Sequence, residues 1–307
     1  MIEPLVKAPA FVYFLFLSWS CSSSTSNISL KPNIGMDLSL GLEGTHVLVT
    51  GGAGYIGTAV VEAFLAAGAI VSAFDINEAK MKLQHERLHW QVADITSEAS
   101  MESAFEKAYA RNGVISTCIA LAGLDLSYLP QHSSLCDMPL SQWQKTHKTN
   151  VEGTFLTART WLRNIRSHAD PSTRNVSLII IGSEAGTFGV TGNADYGASK
   201  SAIQFGFVQS LVKDVINIHP RARVNAVAPG PVDTPQFRKE CAQDSNAMWL
   251  EAQATVAMKT PVPMDSVART VLFLASENWS RNTTGQILAV DSGKSGKVHW
   301  LPAERGQ

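Results

Sequence analysis

A tyrosine, a lysine and a serine in the second half of the sequence could together transfer a proton. Tyr196 and Lys200 stand four residues apart at the start of a predicted helix, so their side chains share one face. Because an ammonium group favours a nearby phenolate, we expect Lys200 to lower the pKa of Tyr196 from its usual value of about 10. Ser183 precedes Tyr196 by 13 residues and follows an apolar run that predicts a strand. Its hydroxyl could hold a substrate oxygen beside the phenol.

A glycine-rich segment nearer the N-terminus is typical of a dinucleotide site. Residues 50–57 read Thr-Gly-Gly-Ala-Gly-Tyr-Ile-Gly between a predicted strand and a predicted helix. Glycines there permit a tight turn and let backbone N–H groups approach a pyrophosphate closely. Asp75 ends the next predicted strand, 24 residues after Gly51, where a carboxylate accepts hydrogen bonds from the adenosine ribose and repels a 2′-phosphate. No lysine or arginine stands in the turn, so the segment predicts NAD rather than NADP.

The elements that must position these residues alternate between strand and helix from about residue 42. The predicted strands are residues 46–50, 70–74, 88–92, 114–120, 176–181, 223–228 and 286–290. Helices are predicted after the glycine-rich segment and over residues 98–110, 142–165, 196–218 and 265–275. Such alternation implies right-handed crossovers. We therefore predict an α/β fold of one domain, a Rossmann-type doubly wound parallel sheet of about seven strands.

Composition limits the classes of function. Of 307 residues, 45% are hydrophobic and 17% are charged, which predicts a large core rather than a disordered chain. A net charge of −1 leaves no basic surplus for a phosphate backbone, so we expect no nucleic-acid partner. Four cysteines without a CxxC motif indicate neither a metal site nor a disulfide framework. No apolar run reaches the roughly 18 residues of a transmembrane span.

Residues 1–35 are predicted as an N-terminal extension ahead of a catalytic domain over residues 36–307. Residues 10–19 are apolar and residues 20–26 are mostly small, an order that resembles a secretory signal. We favour an upstream or disordered extension before a second start at Met36, which predicts a cytoplasmic protein. The alternative is secretion or membrane association through a working signal. Only in that case would four Asn-x-Ser/Thr triplets matter, at Asn27, Asn175, Asn278 and Asn282.

Taken together, these motifs resemble the short-chain dehydrogenase/reductase family in its compact, single-domain form, over nearly all of residues 42–293. The matching pieces are Thr50–Gly57, Asp75, Asp94, Ala122-Gly123, Asn150, Ser183, Tyr196, Lys200, Pro229-Gly230 and Thr284-Gly285-Gln286. The resemblance implies that Tyr196 is the general acid/base and that Ser183 orients the substrate oxygen. It implies that Lys200 lowers the phenol pKa and holds the nicotinamide ribose. It also makes Asn150 catalytic, as the anchor of a water that links Lys200 to solvent.

The same resemblance implies a cofactor site and an assembly. Asp94 would contact the adenine, and residues 229–234 would line the nicotinamide pocket. The predicted cofactor-binding residues are Gly51, Gly54, Tyr55, Ile56, Gly57, Asp75, Asp94, Ile95, Ala122, Gly123, Asn150, Tyr196, Lys200, Pro229, Gly230, Val232 and Thr234. The helices at 142–165 and 196–218 are the family's usual association surfaces, so we expect a homodimer or homotetramer.

Three positions depart from the family's pattern. The spacing of Gly51, Gly54 and Gly57 resembles that of extended, epimerase-like members. Ala120-Leu121 stands where asparagines are usual, and Gly182 replaces the commoner serine before Ser183. One alternative is therefore an extended-type epimerase, although only about 110 residues follow Tyr196. Another is a non-catalytic cofactor sensor, which would typically have lost a catalytic residue.

The predicted reaction interconverts a secondary alcohol and a ketone by hydride transfer with NAD. The candidate pocket wall carries mainly apolar residues, namely Leu124, Leu126, Tyr128, Phe188, Val190, Phe237, Met248, Trp249 and Leu250. A wall of this kind predicts a bulky apolar substrate, such as a terpenoid or polyketide of secondary metabolism.

Overall fold

The computed structural model describes residues 37–301, apart from residues 245, 247 and 248 and the side chain of residue 251. The extension predicted over residues 1–35 and the pocket-wall residue Met248 lie outside the described residues. A seven-stranded sheet stands at the centre, in the order β3-β2-β1-β4-β5-β6-β7, with every neighbouring pair parallel. The strands are β1 (His46–Thr50), β2 (Ile70–Asp75), β3 (Leu88–Val92), β4 (Thr117–Ala120), β5 (Ser177–Ile181), β6 (Arg223–Pro229) and β7 (Ile287–Val290).

Helices connect the strands and cover both faces of the sheet. They are α1 (Tyr55–Ala66), α2 (Glu98–Asn112), α3 (Leu140–His147), α4 (Gly153–His168), α5 (Ala185–Phe188), α6 (Ala194–Ser201), α7 (Val208–Ile218), α8 (Pro235–Gln243), α9 (Met264–Ala275) and α10 (Glu277–Ser280). Single turns of 3₁₀ helix lie at Glu78–Lys80, Leu126–Tyr128 and Leu135–Asp137. Stretches of π-helix join α3 to α4 (Lys148–Glu152) and α6 to α7 (Ala202–Phe207), and a third lies at Leu250–Ala254.

The sheet is buried on both faces, which is why its strands are apolar throughout. One core packs α2, α4 and α7 against the sheet and contains Met101, Phe105 and Trp161, each at most 3% exposed. The other packs α1 and α9 on the opposite face and contains Phe64 and Val271, both fully buried. Burial of each such side chain contributes about 1.5–3 kcal/mol to folding. The predicted doubly wound parallel sheet of about seven strands is confirmed.

Most predicted elements fall within a few residues of the observed ones, and the differences have local causes. β4 begins at Thr117 rather than at residue 114. Each of the two long predicted helices is present but contains a π-helical stretch. Three short helices were not among the predicted elements: α5 and α10 have only four residues each, and α8 is introduced by Thr234, whose hydroxyl accepts a hydrogen bond from the Phe237 N–H. Such π-helical stretches occur frequently at functional sites.

Within residues 37–301, as far as they are described, no helix combines the length and the apolar character needed to cross a bilayer. In that same part of the chain, no three His, Cys, Asp or Glu side chains are grouped so that they could hold a metal ion.

The asparagine of one of the four Asn-x-Ser/Thr triplets is buried in the folded chain. Asn175 is 2% exposed. Its Nδ2 donates to the Gly41 carbonyl at 2.7 Å and to Thr45 Oγ1 at 2.9 Å, and its Oδ1 accepts the Glu277 N–H at 2.9 Å. The Asn175 amide is therefore a structural tie between the beginning of β1 and α10.

A chain that begins at Met36 should unfold at the same temperature as the full chain. The reason is that the contacts that anchor the start of the fold lie after Met36, where the Ser39 carbonyl accepts the Trp279 indole N–H at 3.0 Å. Ser276 Oγ donates to the Leu40 carbonyl at 2.6 Å, and Leu42 is 1% exposed. A control chain beginning at residue 45 loses these contacts and should unfold about 5 °C or more lower. Circular dichroism melts measure both. Lower stability of the chain from Met36 would show that residues 1–35 belong to the fold.

Candidate active site

The residues that could perform chemistry collect at one edge of the sheet. All seven strands are parallel, so their carboxyl ends share an edge, where open α/β sheets bind ligands. The glycine-rich turn follows β1, Asp75 ends β2 and Ser183 follows β5. This topology places residues that are far apart in sequence around one site.

Ser183, Tyr196 and Lys200 lie together there. Tyr196 is 6% exposed in the first turns of α6, and a hydrogen bond joins it to the Ser183 side chain. Ser183 Oγ also accepts the Ala185 N–H at 3.1 Å. Lys200, one turn further along α6 and also 6% exposed, places Nζ 5.8 Å from the centroid of the Tyr196 ring. Its Nζ donates to the Ile181 carbonyl at 2.9 Å, at the end of β5. The structure therefore brings the predicted proton-transfer group together.

The electrostatics differ from the expectation based on sequence. Burial raises the pKa of Tyr196, and the carboxylates of Asp125 and Glu184 raise it further, whereas the hydrogen bond from Ser183 lowers it. Burial also lowers the pKa of Lys200 to about 8, although Asp125 opposes that shift. The prediction that the pKa of Tyr196 is lowered is therefore wrong when only the groups of the protein act on it. Desolvation of the phenolate outweighs the favourable interactions.

Asn150 fixes the loop after β4 against this group. It is 1% exposed on the π-helical stretch between α3 and α4. Its Oδ1 accepts the Leu124 N–H at 2.7 Å, while its Nδ2 donates to the Leu124 carbonyl at 3.2 Å and to Ser199 Oγ at 3.1 Å. A Cβ at Gly123 would lie 3.0 Å from Asn150 Oδ1 and 3.8 Å from Lys200 Nζ. Asn150 and Gly123 therefore lie beside Lys200. That Asn150 anchors a water between Lys200 and solvent stays a prediction.

The glycine-rich turn has the shape that a pyrophosphate requires. Gly51 has φ +69°, and a Cβ there would stand 2.8 Å from Ala122 Cα. A Cβ at Gly57 would overlap the Gly51 carbonyl oxygen. Gly54, the residue before α1, supplies no side-chain cap to the helix that Tyr55 and Ile56 begin. The uncapped N–H groups of a helix N-terminus favour an anion, so the turn fits a phosphate-bearing cofactor.

The turn is tied to the strand beside it by Thr50. Thr50 Oγ1 accepts the N–H groups of Leu121 and Ala122 at 3.1 and 3.2 Å and donates to the Ile119 carbonyl at 3.3 Å. The sequence has Ala120-Leu121 where the family usually has asparagines. The Thr50 hydroxyl therefore joins β1 to the end of β4 through backbone groups.

The acidic residues predicted for the adenosine half of the cofactor have defined positions. Asp75 Oδ2 accepts the Ala53 N–H of the turn at 3.1 Å, and Oδ1 accepts the Asn77 N–H at 3.0 Å. These bonds hold the carboxylate beside the turn, where a ribose hydroxyl could reach it. Asp94 Oδ1 accepts the N–H and the hydroxyl of Thr96, both at 2.8 Å. Ile95 is 8% exposed and belongs to the core. Its side chain packs closely on Gly153, where a Cβ would stand 2.6 Å from Ile95 Cδ1.

Residues 229–234 continue from β6 along the same edge. The Gly230 N–H donates to the Val290 carbonyl at 2.9 Å, which extends the pairing that Pro229 makes with β7. Val232 forms an isolated parallel bridge with Val262 and is 9% exposed. Thr234 caps α8. The segment therefore forms a fixed wall, and its contact with a nicotinamide stays a prediction.

Four further residues near the site were not predicted. Asp125, an exposed residue two positions after Gly123, raises the pKa values of Tyr196 and Lys200. Glu184, next to Ser183, pairs with Lys294 at 3.0 Å, and each side chain is about 15% exposed. Gln204 contacts the backbone of Ser183. Of these residues, only Gln204 had a signal in the sequence. That signal is the unusual Gly182, which leaves the space that the Gln204 amide fills.

The chain is similar in sequence to known proteins. A family model described as enoyl-(acyl carrier protein) reductase matches residues 51–295. A 3-oxoacyl-[acyl-carrier-protein] reductase of Chlamydia pneumoniae is 30% identical over 84% of this chain and 99% of its own. A cis-4-hydroxycyclohexanecarboxylate dehydrogenase of Sinomonas cyclohexanicum is 28% identical over 80% of this chain and 94% of its own.

A solved structure shows the same fold. The crystal structure of gox2181 superposes with a TM-score of 0.71 at 26% identity, and the match covers 83% of this chain and 96% of that one. The order of the strands, the Ser183–Tyr196–Lys200 group and the matched family model all indicate the same family. The chain therefore belongs to the short-chain dehydrogenase/reductase family and is an oxidoreductase that acts on CH–OH groups.

Proposed function

We propose that the chain is an NAD-dependent dehydrogenase that oxidises a secondary alcohol to a ketone. The observation that carries this proposal is the hydrogen-bonded pair of Ser183 and Tyr196 beside Lys200 at the carboxyl edge of the sheet. Ser183 orients the substrate oxygen. Tyr196 accepts the alcohol proton, and the ammonium group of Lys200 stabilises the phenolate that results.

The residues present fit a dinucleotide cofactor. The uncapped start of α1 suits a pyrophosphate, and the fixed carboxylate of Asp75 suits the adenosine ribose. Lys200 and Asn150 would hold the nicotinamide ribose side. When bound, the oxidised nicotinamide supplies the acceptor for the hydride that leaves the alcohol carbon.

Asp75 supports NAD over NADP, and its replacement tests the choice. In the wild-type protein, kcat/KM should be higher with NAD, because a 2′-phosphate would meet a carboxylate that accepts the N–H groups of Ala53 and Asn77. Asp75→Ser should narrow the preference by about tenfold or more, since one close charge contributes on the order of 1.4 kcal/mol.

A matched control removes an acidic charge that lies just beyond the strand. Glu78 is exposed on the 3₁₀ turn, three residues after Asp75. Glu78→Ser should leave the NAD to NADP ratio within about twofold of wild type, because surface charges interact weakly. A wild-type preference for NADP would contradict the proposal.

The substrate is proposed to be bulky and apolar. Loops after β4, β5 and β6 carry Tyr128, Phe188 and Leu250, which are 61%, 43% and 55% exposed. Trp249, also predicted for the wall, is 6% exposed. A panel of borneol, 1-phenylethanol and cyclohexanol with NAD tests the proposal directly. Absence of turnover across such alcohols would contradict it.

Reduction of a 3-oxoacyl thioester is a second candidate. It is supported by the name of the relative that is 30% identical to this chain. The exposed apolar side chains of Tyr128, Phe188 and Leu250 favour an apolar alcohol instead. Acetoacetyl-CoA with each reduced cofactor separates the two candidates. Faster turnover of that thioester than of any alcohol would establish the second.

We also propose that the enzyme forms a homodimer or homotetramer. On the α4 side, Phe155 is 41% exposed and lies under the Arg159 guanidinium, 5.1 Å from it. Phe205, on the π-helical stretch after α6, is 39% exposed. These exposed aromatic rings on the two long helices support association through the surfaces that the family resemblance implies.

A further inference from the structure

Gln204 is a buried amide that connects two parts of the site. It is fully buried on the π-helical stretch that begins two residues after Lys200. Its Oε1 accepts the N–H of Ser183 at 2.9 Å, and its Nε2 donates to Thr187 Oγ1 at 3.2 Å. One side chain thus holds both ends of the short segment that carries the substrate-orienting serine.

Two glycines make the room for this amide. A Cβ at Gly182 would overlap Gln204 Oε1, and a Cβ at Gly186 would stand 2.7 Å from Gln204 Cδ and Nε2. We call Gln204, Gly182 and Gly186 the Gln204 slot. The slot explains why glycine stands before Ser183, since a serine there would collide with the amide.

The slot couples the serine to the helical run that carries the phenol. Tyr196, Lys200 and Gln204 follow at intervals of four residues, so they occupy successive turns. Ser183 itself accepts bonds from the residues after it, through its Oγ to the Ala185 N–H and through its carbonyl to the Gly186 N–H. Its own N–H is directed to Gln204, so the position of the serine backbone depends on that amide.

We propose that Gln204 is a positioning residue that fixes the Ser183 hydroxyl relative to the Tyr196 phenol. The inference rests on the proposed function, because it assigns Gln204 a part in the same reaction. Gln204 touches no reacting atom. It acts by holding the Ser183 backbone on the helical run that bears the acid/base group.

Gln204→Met tests the role, because methionine keeps the length of the side chain and removes both hydrogen bonds. With NAD and the best alcohol of the panel, kcat should fall about 10- to 100-fold, as expected for a misplaced orienting group. KM for NAD should stay unchanged. The matched control is Gln209→Met on α7, where an exposed glutamine donates to the Gly285 carbonyl at 2.5 Å. That variant should keep the wild-type kcat.

A double-variant cycle separates positioning from a general structural effect. In a Ser183→Ala background, Gln204→Met should lower kcat by less than about twofold, because the group on which Gln204 acts is gone. An equal loss in both backgrounds would overturn the proposal, as would a wild-type kcat in Gln204→Met alone.

Thermal unfolding tests the slot without any substrate. Gly182→Ser should lower the melting temperature by about 5 °C or more in the wild-type background, because the added side chain collides with Gln204. In a Gln204→Ala background the same change should cost little. A wild-type melting temperature for Gly182→Ser alone would overturn the inference. If the wild-type protein turned over no alcohol, the proposed function would fail. The two melting experiments would still show whether residue 182 packs against Gln204.

Discussion

Replacing Tyr196 with phenylalanine should lower kcat for alcohol oxidation by about 10²–10⁴-fold, the usual cost of losing a positioned acid/base group. The ring of Tyr196 is 6% exposed, and phenylalanine fills the same space. Ser183 keeps its hydrogen bond to the Ala185 N–H in the variant. The fold and the cofactor site should therefore survive, and the loss should appear in kcat.

The control for this variant is another tyrosine that loses its hydroxyl away from the site. Tyr109 on α2 stacks on His168 with ring centroids 3.9 Å apart. Tyr109→Phe should keep the wild-type kcat. NAD binding, measured by the quenching of tryptophan fluorescence, should be the same in both variants. Near-full turnover by Tyr196→Phe would exclude the phenol as the group that moves the proton.

The sheet could be predicted because its signals are local. Each strand is a short apolar run, and each helix repeats apolar residues on one face. Parallel topology then required Ser183 and the glycine-rich turn to meet at one edge. The π-helical stretch around Asn150 could not be predicted, because it alters the backbone by one hydrogen-bond register without altering the apolar pattern.

The electrostatics of the site could not be predicted from spacing. The spacing of four residues from Tyr196 to Lys200 indicated contact, but not the burial that raises the phenol pKa. Asp125 influences both groups from a loop whose position depends on the hydrogen bonds between Asn150 and Leu124. Charges acting across a folded site depend on three-dimensional distance and on desolvation, and neither quantity is encoded in a motif.

Some residues that are unusual in the sequence contact a side chain that lies far away in the chain. Gly182 departs from the family's pattern, and its reason is Gln204, 22 residues later. Glu184 follows Ser183, and its partner Lys294 is 110 residues away. A single sequence shows one member of such a pair as an exception and gives no means to find the other. The structure supplies the pairing, and with it a physical reason for the exception.

Lys200→Met should reduce kcat/KM for alcohol oxidation at pH 7 by about 10²-fold or more, because a buried phenolate would lose the ammonium group beside it. Lys200 Nζ lies 5.8 Å from the centroid of the Tyr196 ring, while Asp125 and Glu184 act in the opposite sense. In the wild-type protein kcat/KM should rise with pH, since Tyr196 must lose its proton. In the variant the rise should move to higher pH. Lys213→Met, an exposed lysine on α7, should keep the wild-type profile.

The stability of the fold offers a second measurement of the same lysine, independent of turnover. Burial lowers the pKa of Lys200 from 10.5 to about 8 in the folded chain. Between these values the unfolded chain binds a proton that the folded chain does not bind. The contribution of Lys200 to the free energy of unfolding therefore rises with pH over that interval.

Urea titrations at about pH 7.5, 9 and 10.5 should show this rise in the wild-type protein and in Lys213→Met. They should show less of it in Lys200→Met, which has no ammonium group to discharge at that position. The same pH dependence in all three proteins would mean that Lys200 is solvated rather than buried. Its influence on Tyr196 would then be screened, and the kinetic loss expected of Lys200→Met would have to come from its contact with the cofactor.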